Sequence, residues 1–166
     1  MIATKGIQEW QYGRFEARIQ FEREPGHHGA FWLQSEDYGK IKDDLSASGA
    51  EIDVIEYFGR PGSLSHNIHW NAYGSSDKKH VGSGNMPTPG EAGTAATQFH
   101  VYSMTWTPTE YIFSVDGVET WRTDKAIAHH PEYVILSVLA SEFEAKKIRS
   151  MNFPDSMLVD WVRVYR

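Results

Sequence analysis

Between Gly49 and Gly59 the chain reads Ala-Glu-Ile-Asp-Val-Ile-Glu-Tyr-Phe, and this segment limits the possible folds more than any other. Ile52, Val54, Ile55, Tyr57 and Phe58 are β-branched or aromatic, the types that suit a pleated surface, and a glycine bounds the run at each end. Into this strand are set three carboxylates, Glu51, Asp53 and Glu56. A carboxylate costs free energy when it leaves water, and neighbouring carboxylates repel one another. Folding rarely needs such a cluster. Chemistry that works with a carboxylate beside a carboxylic acid does need one.

Strand geometry makes the expectation specific. Alternate side chains share a face, so Glu51 and Asp53 point one way and Ile52 and Val54 the other. Glu56 is five residues from Glu51, and an unbroken strand would send it to the wrong side. One β-bulge around Val54-Ile55 adds a residue, returns Glu56 to the face of the other acids and sends Tyr57 to the core. The three acids are therefore expected to line a cleft. A retaining glycosidase uses two carboxyl groups about 5–5.5 Å apart, one as nucleophile and one as acid then base. Glu51 is assigned as nucleophile, Glu56 as acid/base, and Asp53 as the group between them that sets the ionisation of Glu51. Three close carboxyls hold one proton among them, most usefully on Glu56. A solvated acidic edge strand is the alternative, and the flanking apolar pattern argues against it.

The rest of the chain is read as almost all β. Phe15, Ala17, Ile19 and Phe21 alternate with polar residues, as in a half-buried strand. Glu22 to Gly29, with Pro25-Gly26, reads as a turn. Ala30 to Gln34 is a short strand with Phe31 and Leu33 on one face and Trp32 and Gln34 on the other. Ser35 to Gly49 is a polar loop that can wall the cleft. Arg60 to Ser63 turns the chain, and His66 to Trp70 is a strand. Asn71 to Thr97 shows no periodicity, and a loop that long is often functional. Strands follow through Trp106 and Tyr111 to Val115. Asp116-Gly117 is a hairpin turn, with Val118 to Trp121 returning. Asp124 to His130 is expected as a short helix ending before Pro131. Tyr133 to Ala140 reads as a central strand covered on both sides, and Leu158 to Tyr165 closes the fold.

Of the six Trp residues, Trp32 is expected in the cleft, where an indole can stack on a sugar. Trp106, Trp121 and Trp161 are expected in the core. In His69-Trp70 only one side chain can face the cleft, and His69 is favoured. His66 and His69 sit on opposite strand faces and make a poor chelate, so no metal is expected. His100 is expected to be a hydrogen-bonded structural residue. No cysteine is present, and the formal net charge of −6 argues against a nucleic-acid backbone as partner. No apolar run reaches membrane-spanning length. Hydrophobic residues make up 40% and charged residues 23%, ordinary for a folded domain, and residues 1–166 are taken as one domain.

Glu51-Ile-Asp-Val-Ile-Glu56 resembles the signature of glycoside hydrolase family 16 in its bulged form. Tyr12-Gly-Arg-Phe-Glu-Ala-Arg-Ile19, Gly29-Ala-Phe-Trp-Leu33, Phe99 to Trp106, the hairpin at Asp116-Gly117 and Val159 to Tyr165 fit the family's order. The resemblance implies a concanavalin A-like β-jelly-roll sandwich of two antiparallel sheets with a concave substrate cleft. It implies retaining endo-hydrolysis of a β-linked polysaccharide, with Glu51, Asp53 and Glu56 catalytic and Trp32 and His69 binding substrate. β-1,3-Glucan of the laminarin type is the expected substrate. An endo-galactanase on agar, porphyran or carrageenan is the alternative, for which Lys40, Lys42 and Arg60 would be candidate sulfate contacts. Asp160 matches a position near the family's structural calcium, but no cofactor is expected.

Members of that family usually carry strands before the segment that begins at Tyr12, so this chain is expected to lack N-terminal strands. Exposed strand edges would then favour self-association or strand exchange. The family implies an extracellular or periplasmic location, although the first residues show no signal segment. A carbohydrate-binding module, or a fragment completing another chain, are the non-catalytic readings. The module would have no need of all three acids.

Overall fold

A computed structural model describes residues 1–60, 62–87, 93–140 and 154–166. Pro61 in the expected turn and residues 88–92 of the expected loop lie outside the described residues. The strands are β1 (Ile2–Ala3), β2 (Gly13–Gln20), β3 (His27–Gln34), β4 (Glu51–Tyr57), β5 (Ser65–Trp70), β6 (Lys79–Gly82), β7 (His100–Trp106), β8 (Tyr111–Val115), β9 (Val118–Thr123), β10 (Tyr133–Ala140) and β11 (Leu158–Tyr165). They form two antiparallel sheets, ordered β1-β10-β3-β4-β5-β6 and β11-β2-β7-β8-β9. This is the all-β jelly-roll sandwich that the family resemblance implied.

The core lies between the sheets. Phe31, Leu33, Ile52, Ile55 and Ile68 of the first sheet meet Phe15, Ile19, Tyr102, Met104, Trp106 and Phe113 of the second, all essentially inaccessible to water. Each such side chain stabilises the fold by ~1.5–3 kcal/mol relative to leaving it exposed. That cost of exposure fixes register, because a one-residue slip would turn each strand inside out.

The bulge is present where the acid spacing required it. Against β3, Phe31 pairs with Ile55 and Trp32 pairs with Asp53, so Val54 is the extra residue. Against β5 the register likewise shifts between Asp53 and Glu56. Tyr57 returns to the core, where its ring packs 5.2 Å from Phe21.

Four sequence expectations are corrected. Strand β3 begins at His27, three residues before the expected start, because β10 runs on to Ala140 and pairs with it there. A further strand, β6, occupies part of the expected loop and pairs with β5. Residues 124–130 form no helix, and Ala126 instead adopts a left-handed backbone (φ 56°). Nearby, Ala128 N donates to the Tyr111 hydroxyl at 2.8 Å rather than to a helical carbonyl. Strand β10 is covered over its first half only. Ser137 and Leu139 line the concave face.

Trp106 and Trp121 pack in or against the core as expected. Trp161 does not. It is partly exposed on the edge strand β11 with the Arg163 guanidinium 4.2 Å above its ring. The Trp10 ring, just before β2, meets Phe15 edge-on at 6.3 Å.

Candidate active site

The site is a grid of cross-strand rows on the concave face. Gln34, Glu51 and His69 lie abreast on β3, β4 and β5. Trp32, Asp53 and Asn67 form the next row, and Ala30, Glu56 and Ser65 the third. All three acids line one pocket with His28, Ala30, Trp32, Tyr73, Ser137 and Leu139. The bulge therefore places Glu56 on the side of Glu51 and Asp53. The pocket holds about 140 Å³. Whole-ligand sites run to about 300–1,000 Å³, so this pocket is smaller than one that would enclose a whole ligand.

A clasp within the core holds the bulge. His66, on the core face of β5, places Nδ1 2.5 Å from the Val54 carbonyl and Nε2 2.8 Å from the Thr120 hydroxyl on β9. A carbonyl can only accept, so Nδ1 carries the proton and Nε2 accepts from Thr120. The imidazole also stacks on Phe113 at 4.7 Å. Burial pushes His66 down to about 4, so it stays neutral, which that tautomer requires. His100 is likewise structural, bonded to Thr94 and Asp116.

Each acid has its own surroundings. Gln34 Nε2 donates to Glu51 Oε2 at 3.2 Å and to the Tyr73 hydroxyl at 2.7 Å, while Tyr133 donates to Gln34 Oε1 at 2.9 Å. Asp53 is 5% exposed and its Oδ2 has no hydrogen-bond partner among the described residues. Glu56 is held on both oxygens. His28 Nε2 lies 2.8 Å from Oε1, Asn67 Nδ2 donates to Oε2, and Ser65 reaches the same oxygen at 3.4 Å. His69 Nε2 is 3.5 Å from Asp53 Oδ2 and 4.0 Å from Glu51 Oε1, so His69 rather than Trp70 faces the acids.

These surroundings separate the three ionisations. Burial pushes Glu51 up to about 7, with Lys78 opposing and Glu56 reinforcing the rise. Burial and its two charged neighbours push Asp53 well above the carboxylate range. Glu56 is buried too, yet its contacts with His28 and Asn67 outweigh that and hold it below its ordinary value. The shared proton of the empty site thus rests on Asp53 or Glu51, and the expectation that Glu56 holds it is corrected. His69, pushed down to about 4 by burial and Lys78, is neutral beside the acids.

Trp32 lies on the cleft face, half-buried, with Nε1 donating to Ser137 Oγ at 3.0 Å. That bond fixes the ring at the pocket wall. Four partners of the acids, Gln34, Asn67, Ser65 and His28, and the pocket residue Tyr73, which accepts from Gln34, were given no role from sequence. Gln34 and Asn67 were legible in principle, each two residues from a recognised cleft residue. His28 was hidden by the turn assigned to 22–29, and Tyr73 by the aperiodic stretch after Asn71. Glu51, Asp53 and His69 bring possible ligand atoms within 4.8 Å of one another. Asp160 is engaged by Arg18 at 2.7 Å, a cation where calcium would need further oxygen ligands, so its surroundings do not fit that ion.

A two-sheet jelly roll with three acids and a tryptophan on its concave face belongs to the class of carbohydrate-processing β-sandwiches. Within that class the chain belongs to the glycosyl hydrolases family 16, whose model matches residues 2–163. A beta-glucanase from Rhodothermus marinus is 29% identical over 99% of this chain and 61% of its own length. Glucan endo-1,3-beta-glucosidase A1 from Niallia circulans is 30% identical over 99% of this chain and 26% of its own. The laminarinase catalytic domain from Thermotoga maritima superposes with a TM-score of 0.78 at 23% identity, covering 99% of this chain and 67% of that one. The chain thus spans 61% and 26% of these two curated relatives and 67% of the solved domain.

Proposed function

We propose that this chain is the catalytic part of a retaining endo-β-glycanase acting on a β-1,3-glucan of the laminarin type. The observation that carries the reading is the bulge at Val54, which turns Glu51, Asp53 and Glu56 into one pocket beside Trp32. Glu56, ionised in the empty site, takes a proton from solvent as the substrate enters; in the first step the C1–O bond to the leaving sugar then breaks as a Glu51 oxygen bonds to C1, and Glu56 gives that proton to the departing oxygen. In the second, water attacks C1, the bond to Glu51 breaks, and Glu56 takes the water's proton. Asp53, neutral between the two, spares the pocket a third charge and leaves Glu51 free to act as an anion. Trp32 offers its indole face to a sugar ring, and His69 a neutral imidazole.

The names of the two glucan-cleaving relatives support a neutral glucan, and so do the lysines that a sulfated polymer would need. Lys40 is paired with Asp37, and Lys42 with Asp77 at 2.8 Å. The test is release of reducing ends from laminarin, mixed-linkage glucan, agarose and carrageenan, with the anomer of the first product read by NMR. Laminarin cleavage with retention is expected, and Glu51→Ala and Glu56→Ala should each abolish it in a folded protein. Binding to laminarin without turnover would return the chain to the carbohydrate-binding class.

A further inference from the structure

His28 lies outside the acid motif, on the neighbouring strand, yet it makes the closest approach to Glu56 from β3. The register of β3 with β4 sets His28 opposite Phe58, and the two rings stack at 4.3 Å and 7°. That stack fixes the plane of the imidazole. Its Nε2 edge is thereby aimed at Glu56 Oε1, 2.8 Å away, while Asn67 and Ser65 occupy Oε2 from β5. The approach is off the line of an ideal N–H bond, since Nε2 finds no well-aligned acceptor. It is the approach of a polar edge to a charge.

We propose that His28 is a positioning residue for Glu56, holding that carboxyl in the orientation and charge state from which it exchanges protons with the leaving group and with water. The inference rests on the acid/base role of Glu56 proposed above. When Glu56 has given up its proton in the first step, its new negative charge appears 2.8 Å from His28 Nε2. An interaction that strengthens as charge develops makes Glu56 a stronger acid for the first step and a weaker base for the second. The titratable groups that act on Glu56 are Glu51 and Asp53 on its own strand, His28 on β3, and His69 and, from the core side, the neutral His66 on β5. From β10 the pocket receives Ser137 and Leu139, neither of which titrates there. Of these groups, only His28 contacts a Glu56 oxygen as an ion-pair partner among the described residues.

The test replaces His28 by Phe, which keeps a ring against Phe58, and by Gln, which keeps a neutral donor. With laminarin, the acid limb of kcat/KM, set by the lower of the two ionisations, should move up by about one pH unit in His28→Phe, with a smaller move in His28→Gln. KM should change less than kcat. Titration of the glutamate carboxyls by NMR in 13C-labelled protein should show Glu56 ionising at higher pH in His28→Phe, whether or not a substrate is turned over. A Glu56 titration and a kcat/KM profile that both superpose on the wild type would overturn the proposal, and uniform loss of activity across pH would reduce His28 to a packing residue. The underlying role of Glu56 is tested apart from this. Glu56→Ala should still cleave an aryl glycoside with an activated leaving group and regain turnover with azide, and failure there removes the acid/base reading without touching the titration result.

Discussion

Glu22 carries a sharp prediction about stability. Its side chain is inaccessible to water and neither carboxyl oxygen has a well-formed side-chain partner among the described residues. A Cβ on Gly29 would lie 2.3 Å from its Oε2, so the carboxyl fills the space a larger residue would take. Burial raises it from 4.5 to about 7, against opposition from the backbone N–H groups of Glu22 and Gly29. The folded state therefore binds a proton that the unfolded chain has released. The stability this contributes is complete below about 4.5 and is lost as pH rises toward 7. At about 1.4 kcal/mol per pH unit the loss is about 3 kcal/mol. For a chain of this length that is ~6–12 °C in Tm. His66 and His69, both pushed down to about 4, act with the opposite sign, losing stability as pH falls from 6.5 to 4. The wild-type curve alone is thus ambiguous, and the difference between two proteins is the useful quantity. Glu22→Gln has no proton to lose. Whatever its stability at pH 4.5, it should gain about 3 kcal/mol on the wild type by pH 7.5. Denaturant midpoints collected at half-unit intervals provide the measurement. Parallel curves for the two proteins over that range would refute the account of Glu22.

Other outcomes follow from single contacts. Gly82→Ala would place a Cβ 2.0 Å from Asn67 Oδ1, so Asn67 must swing off Glu56; turnover of laminarin should fall ~10–100-fold, about the loss of one oriented donor, while the far-UV spectrum is kept. Removing the clasp with His66→Ala should cost ~2–4 kcal/mol in urea unfolding, from the lost packing and the orphaned Val54 carbonyl. Deleting Val54 should leave a regular strand with Glu51, Asp53 and Glu56 on one face and Ile52, Ile55 and Tyr57 on the other, so a soluble cooperative product is expected, and a chain that cannot fold would count against the register drawn here. Trp32→Ala should raise KM for laminarin several-fold and shift Tm by little, since the ring lies on the cleft face rather than in the core.

Much of this was written in the order of residues. Period-two alternation placed Phe15, Phe31, Leu33 and Tyr57 in the core, and the odd spacing of Glu56 required the bulge. What escaped was whatever depended on a partner strand. His27 and His28 resemble turn residues until β10 is seen to extend far enough to pair with them. Lys79 to Gly82 has no apolar alternation, because it is an edge strand held mainly by backbone pairing with β5. Residues 124–130 have acceptable helix composition, yet the chain there bonds to the Tyr111 hydroxyl. The position of the shared proton was out of reach for the same reason. It depends on His28 and Asn67, which come from two different strands.

The link from the Val54 carbonyl through His66 to Thr120 joins the extra residue of one layer to a hydroxyl on the other. Any slackening between the layers must be transmitted along that chain to the loop of backbone that aims Glu56. Catalytic competence and global cooperativity should then fail at one temperature, so that a warmed sample contains working molecules and unfolded ones but no population that is intact and idle.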